Sequence, residues 1–235
     1  MSSALEHIQN AIYDFQEAAN KVLAKEDQLY FGGRYLTGQL DRPEFLFLGI
    51  NPGYGPEFAD RNNLIKRKAF EPTACKFIDE YEDGLLLAKR IVDELLQGNP
   101  GKLKNYAETS ISSFFATPDE PTLKKQLTAL GPHGLQASHQ QLMTESVIAI
   151  IDTINPVQVV CIGLTTFSQY LKLNGVGHNG VSMKSEKSDS GNSYPVYYKY
   201  TMINNRPVHG VLHLSGAHLS KIMRDNLRQI FSALT

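Results

Sequence analysis

Short runs of apolar residues place the strongest constraint on how this chain can fold. The run "EFLFLGI" (44–50) and the run "VQVVCIG" (157–163) show no regular alternation of polar and apolar positions. Such runs are typical of strands buried on both faces, as in parallel sheets that helices cover on each side. Segments 109–118 and 207–216 are predicted as two further strands. The sequence therefore predicts a fold of the α/β class.

Amphipathic segments separate the predicted strands. Apolar residues recur at helical spacing in 4–26, 73–101 and 137–156, and further helices are predicted after 163 and at the C-terminus. Asn155-Pro156 is a helix stop, and Thr165 is a predicted helix cap. Because crossovers between parallel strands are right-handed, this order predicts a three-layer α/β/α sandwich around a mainly parallel four-stranded sheet.

One segment interrupts the alternation of strands and helices. Residues 175–205 have a polar tip, and the β-forming residues from Tyr194 to Met202 follow it, which together predict an inserted hairpin. A length of 235 residues suits one decorated domain better than two. We therefore predict a single domain over 1–235, with residues 1–27 as an N-terminal helix.

Composition argues against several classes of function. The formal net charge is −1, so binding to nucleic acid would have to depend on a local basic surface. The two cysteines, Cys75 and Cys161, cannot alone ligate an iron–sulfur cluster, and the histidines of 209–218 lack acidic or cysteine partners at a metal-binding spacing. No apolar run approaches the roughly 20 residues of a membrane span, and no signal-peptide pattern is present. We expect a cytoplasmic monomer without cofactor, metal or membrane partner.

Ligands of open parallel sheets bind outside the carboxyl ends of the strands, so the residues that follow each predicted strand are the candidates for function. Asn51 follows the first strand within "GINPG" (49–53), and His213 opens "HLSGAH" (213–218) at the end of the fourth. Both residues also have ordinary structural interpretations. Asn-Pro-Gly is a common turn, and a histidine in an apolar strand is usually a hydrogen-bonded core residue. His209 and His218 are predicted to lie on the surface.

The two motifs together resemble the uracil-DNA glycosylase superfamily. "GINPG" resembles the turn of its mismatch-specific, thymine-excising and single-strand-selective branches, and "HLSGAH" is similar to the family's second active-site loop. "TINPVQVVCIGLTTFSQYL" is similar to its third strand and following helix, and "ETSISSFFATPDEPT" falls where the family has its second strand. The resemblance covers roughly residues 28–235 without the inserted hairpin.

This resemblance implies a hydrolase of base-excision repair that removes uracil or a related deaminated or mismatched base from DNA. Asn51 would orient the attacking water, and His213 would donate a hydrogen bond to the departing base. The remaining implied residues fall into two groups. The base-binding group comprises Gly49, Ile50, Gly53, Tyr54, Phe58, Ser110 and Ser112, and the loop against the DNA strand comprises Ser215, Gly216, Ala217 and His218.

The sequence also departs from the family pattern at two positions. Leu214 stands where the second motif usually has a proline, and Ser110 or Ser112 stands where many members have a base-reading asparagine. A serine reaches less far and offers fewer donors and acceptors. Two classes of function therefore remain open. The chain is either an active glycosylase or a protein of the same fold that binds nucleic acid, a nucleotide or a protein without excising bases.

Overall fold

The computed structural model describes residues 2–23, 36–50, 74–112, 120–177, 181–185, 196–215 and 219–234. The chain divides into two compact units, each assembled from separate segments of sequence. The first unit comprises Met1–Leu36, Ile50–Pro72 and Thr109–Asn155, and the second comprises Thr37–Gly49, Thr73–Glu108 and Pro156–Thr235. The prediction of a single domain over 1–235 stays a prediction.

Among the described residues, seven strands form one mixed sheet in the order β1-β3-β2-β4-β7-β6-β5. Strands β2 and β4 are parallel, as are β4 and β7, whereas β6 is antiparallel to both β7 and β5. In chain order the strands are β1 (Leu36–Gly38), β2 (Phe45–Gly49), β3 (Tyr106–Ser110), β4 (Gln158–Ile162), β5 (Ser182–Lys184), β6 (Tyr198–Ile203) and β7 (Arg206–Val211).

The α/β class is confirmed, but the prediction of a mainly parallel four-stranded sheet is wrong. The four predicted strands correspond to β3, β2, β4 and β7, which are consecutive in the sheet. The predicted hairpin supplies β5 and β6, and these strands extend the sheet because β6 pairs with β7. The second strand, predicted over 109–118, lies earlier in the sequence, since β3 begins at Tyr106 and ends at Ser110.

Helices cover both faces of the sheet within the second unit. One face carries Phe45, Phe47, Val160 and Val211, which belong to a buried apolar cluster with residues of α7 (Lys221–Ser232). The other face meets α6 (Leu164–Leu173), where a Cβ atom on Gly210 would lie 2.6 Å from the Phe167 ring. Gly163 precedes α6 as its N-cap, so Thr165 lies inside the helix and is not the predicted cap.

The helical segment that follows the first motif is irregular. It consists of α2 (Lys76–Glu82), α3 (Leu86–Arg90), a π-helical turn (Ile91–Leu95) and a 3-10 helix (Pro100–Asn105). The sequence predicts a helical segment over 73–101, in one or two pieces. The π-helical turn buries both apolar residues and Glu94.

Among the described residues of the first unit, three α-helices pack on one another, which are α1 (Ser2–Leu23), α4 (Glu120–Leu130) and α5 (Leu135–Ile154). The buried face of α5 includes Val147, Ile150 and Ile151, as its helical spacing predicts. Asn155 ends α5 in a left-handed conformation with φ 46°, which confirms the predicted stop. A short 3-10 helix (Gly131–His133) precedes α5.

His209 is buried in β7, so the prediction that it lies on the surface is wrong. Its Nε2 lies 2.8 Å from Gln158 Oε1, and its Nδ1 lies 3.0 Å from the Tyr198 hydroxyl. An amide oxygen can only accept, so Nε2 carries the proton and Nδ1 accepts from Tyr198. Burial lowers the pKa of His209 to about 4, which keeps this ring neutral.

We expect the free energy of unfolding to fall as the pH drops from 6.5 towards 4. Burial lowers the pKa of both His209 and His139 to about 4, from an ordinary value of 6.5. Between these pH values the unfolded chain binds more protons than the folded protein does, so stability is lost on acidification. Each histidine contributes on the order of 3 kcal/mol to the total loss.

Urea unfolding at several pH values measures this effect. The His209→Gln variant should show a shallower loss of stability on acidification, whereas the variant of an exposed histidine, His133→Gln, should keep the wild-type slope. Equal slopes in all three proteins would contradict the assignment of a neutral buried His209.

Among the described helices, none is both long enough and apolar enough to span a membrane.

Candidate functional site

The carboxyl ends of three parallel strands lie side by side in the second unit. Leu48 of β2 pairs with Cys161 of β4, and Cys161 pairs with Gly210 of β7. Each strand ends one residue further on. The pairing of β4 with β7 ends with a hydrogen bond of 2.9 Å from Gly163 N–H to Val211 O. The first and last of these strands are the two that lead into the motifs at 49–53 and 213–218.

Residues 213–215 alternate between surface and core directly after β7. His213 and Ser215 are exposed, whereas Leu214 between them is completely buried. The guanidinium of Arg90 donates a hydrogen bond from Nη1 to Leu214 O. The loop thus presents two polar side chains outwards from a buried anchor, and His213 is not enclosed in the core.

His213 and Ser215 form a hydrogen-bonded pair. His213 Nδ1 lies 2.9 Å from Ser215 Oγ. Surrounding atoms partly desolvate the ring even though the residue is exposed, and this burial lowers the pKa of His213. A neutral imidazole carries one N–H, so when the Ser215 hydroxyl donates to Nδ1 the proton resides on Nε2. In that tautomer, His213 is a neutral hydrogen-bond donor.

Gly163 lies against the His213 ring at the exit of β4. A Cβ atom on Gly163 would lie 3.8 Å from His213 Cδ2 and 3.3 Å from Thr166 Oγ1. The backbone of Gly163 has φ 104° and ψ 133°, a conformation that residues with a side chain rarely adopt. The position therefore requires glycine for its backbone geometry more than for space.

We expect Gly163→Ala to lower the free energy of unfolding by about 1–3 kcal/mol, because the alanine must hold a strained backbone conformation. The strain is located where the β4 exit touches His213, so the His213 ring signals in an NMR spectrum should also shift. Gly177→Ala is the matched control, since no atom lies within 4 Å of a Cβ placed there. Equal losses of stability in the two variants would contradict a special role for the Gly163 backbone.

Ser112 and Ile50 come together in the first unit. Ser112 N–H donates to Ile50 O at 2.9 Å, and Ser112 Oγ lies 3.0 Å from His139 Nε2. Ser110, Ser112 and His139 are all buried, with 3% or less of their surface exposed. Sequence reasoning did not single out His139, because a histidine inside an amphipathic helix gives no distinctive pattern. The predicted base-reading serines therefore have buried side chains, and one hydroxyl already has a partner.

The remaining predicted site residues divide between described and undescribed positions. Gly49 ends β2 and, like Ile50, is partly buried. Several predicted residues lie outside the described part of the chain, namely Asn51, Gly53, Tyr54, Phe58, Gly216, Ala217 and His218. Their predicted roles stay predictions.

The basic residues of α7 lie close to a buried carboxylate. Arg228 Nε is 3.0 Å from Glu94 Oε2 and donates to Asp93 O at 3.2 Å. Burial raises the pKa of Glu94, and the charges of Arg228, Arg224 and Arg90 act in the opposite direction. Arg228 is thus already engaged in an ion pair, which reduces what it can offer to a phosphate.

Thiol and metal chemistry receive no support from the described residues. Cys75 and Cys161 are free and buried, and burial raises the pKa of Cys75 to about 12. Within the described ranges no group of three or more His, Cys, Asp or Glu side chains could hold a metal ion.

A scan against models of protein families gives no match to this chain, and a search of curated proteins gives none either.

Proposed function

We propose that this chain is a DNA glycosylase that hydrolyses the N-glycosidic bond of uracil or of a related deaminated or mismatched base. One observation carries the proposal. An exposed histidine, His213, follows β7, two strands away in the sheet from β2, and β2 runs directly into Gly-Ile-Asn-Pro-Gly. The resemblance of both motifs to the uracil-DNA glycosylase superfamily assigns complementary roles to the residues that follow β2 and β7.

The proposed chemistry separates a sugar cation from a base anion. Asn51 holds a water through its side-chain carbonyl, and Nε2–H of His213 donates to the oxygen of the departing base. Ser215 selects this tautomer by donating to Nδ1 at 2.9 Å. The lowered pKa of His213 keeps the ring neutral near pH 7, so it stabilises the anion as a donor without transferring a proton.

A gel assay with the purified protein tests the proposal. Single- and double-stranded oligonucleotides that contain uracil or hypoxanthine, and duplexes that contain a mismatched thymine, are incubated with excess protein and then cleaved with alkali at abasic sites. We expect strand cleavage at the modified base in the wild-type lanes only, because His213→Ala removes the donor. Cleavage of equal extent by both proteins would indicate a contaminating enzyme and would argue against the proposal.

Binding without excision is the second candidate function. The buried positions of Ser110 and Ser112 favour it, since a serine hydroxyl occupied by His139 is poorly placed to read a base edge. Fluorescence anisotropy with the same oligonucleotides distinguishes the two candidates. Salt-sensitive binding with no cleavage of any tested base would favour the binding protein, because phosphate contacts release counterions.

A further inference from the structure

In the described part of the loop that carries His213, two contacts anchor Leu214. The Leu214 side chain belongs to the buried apolar cluster that also contains Met223 and Leu227 of α7. Its carbonyl oxygen accepts a hydrogen bond from Arg90 Nη1. A leucine leaves its own φ angle free, whereas a proline would fix it. The side-chain and carbonyl anchors therefore supply the rigidity that this loop sequence lacks.

Arg90 is well placed to act as a rigid anchor. It is the last residue of α3 and directly precedes the π-helical turn, whose residues Ile91, Val92 and Leu95 are completely buried. Four residues further on, Glu94 lies 3.0 Å from Arg228 of α7. The same short segment thus holds the loop after β7 through Arg90 and holds α7 through Glu94.

We infer that Arg90 is a positioning residue for the His213–Ser215 pair. Through Leu214 O it fixes the backbone between the two exposed side chains, so that Ser215 Oγ stays within hydrogen-bond distance of His213 Nδ1. The effect of Arg90 on the orientation of His213 is independent of the proposed glycosylase function, whereas its effect on base excision rests on that function.

Nitrogen-15 NMR of the histidine rings tests the inference without any assay of activity. In the wild type, His213 should show distinct Nδ1 and Nε2 signals of a single neutral tautomer. In Arg90→Gln these signals should move towards the average of two tautomers, and the titration midpoint of His213 should rise towards that of a solvent-exposed histidine. The exposed neighbour Lys89 provides the matched control, because Lys89→Gln removes a charge from the same helix without touching Leu214. Wild-type signals of His213 in Arg90→Gln would overturn the inference.

Arg90→Lys is a second test variant for the case in which Arg90→Gln does not fold. It keeps a positive charge near Glu94 while removing the guanidinium geometry. We expect His213 signals between those of the wild type and Arg90→Gln. If only Arg90→Lys folds, a wild-type His213 spectrum in that variant overturns the inference. Circular dichroism and thermal unfolding establish that each spectrum comes from folded protein.

Kinetics then connect the orientation of His213 to the proposed reaction. Misplacement of a reacting group by about 1 Å can cost up to 10²-fold, so Arg90→Gln should lower the single-turnover rate by roughly ten- to a hundredfold with little change in DNA affinity. Adding Ser215→Ala should produce less than the product of the two separate effects, because both act on the same ring. Additive effects would overturn the link to catalysis. A wild type that cleaves no base, combined with shifted His213 signals in Arg90→Gln, would refute the proposed function and leave the positioning role intact.

Discussion

Single-turnover excision by His213→Ala should be roughly 10²–10³-fold slower than by the wild type, with little change in DNA affinity. The expectation follows from removing one preorganised donor at the place where negative charge develops, since such donors act mainly in the transition state. The exposed His213 is hydrogen-bonded to Ser215 rather than enclosed in the core, so its loss should leave the fold intact.

Asn51→Ala should also lose most of the rate while retaining binding. An amide orients a water but accepts no proton as a carboxylate would, so the wild type should already be a slow enzyme. His133→Ala, which alters an exposed histidine preceding α5, serves as the control and should react at the wild-type rate. Equal rates for His213→Ala and the wild type would refute the proposed role of His213.

The presence of the central strands β2 and β4 could be predicted because burial on both faces leaves a clear trace in sequence. Each of β2 and β4 contains a run of apolar residues, and the register places these strands next to each other in parallel. The lengths of the intervening segments then allow helical crossovers. Physical constraints of this kind act locally, so a single sequence reveals them.

The mixed character of the sheet could not be predicted, because it depends on where the hairpin docks. A hairpin of β-forming residues can either fold away from a domain or pair with the edge of its sheet. Both positions of the hairpin fit the same local sequence pattern. Here β6 pairs with β7 from Tyr198↔Val211 to Ile203↔Arg206. The burial of His209 depends on the same docking, since its partner Tyr198 comes from β6.

The position of His213 after β7 could be predicted from the sequence, whereas the contacts around it could not. The exits of β2 and β7 follow from strand topology, so His213 was found in the sequence. Arg90 was missed because it is 124 residues from Leu214, and no local pattern signals such a contact. His139 was missed for the same reason, since its partner Ser112 lies 27 residues away on a different element.

The second large effect is expected at a buried ion pair in the second unit. Lys76 Nζ lies 3.1 Å from Glu108 Oε1, and Thr37 Oγ1 donates to Glu108 Oε2 at 3.3 Å. Burial lowers the pKa of Lys76, but the charges of Glu108 and Glu80 outweigh this and raise the pKa overall. The pair joins α2 to β3, and the Lys76 N–H donates to Thr37 of β1 at 3.1 Å.

Lys76→Met should lower the free energy of unfolding by about 3–5 kcal/mol, because it leaves the Glu108 carboxylate buried without its cation. Glu108→Met should cost less, since Lys76 keeps Glu80 at 3.9 Å and its side chain is 16% exposed. The double variant Lys76→Met/Glu108→Met should be more stable than the single Lys76→Met. Replacing both residues removes the attraction between the two charges, but it also removes the cost of burying them.

Urea unfolding of the wild type, the two single variants and the double variant measures the coupling between Lys76 and Glu108. The exposed Lys104→Met serves as the control. We expect a positive coupling and an unchanged denaturant slope, because the variants alter stability without altering the surface exposed on unfolding. If the two single variants add to give the double variant, the carboxylate is compensated by other groups when Lys76 is absent. In that case the ion pair would contribute little to holding α2 against β3, and Thr37 would remain the main polar link between β1 and this part of the sheet.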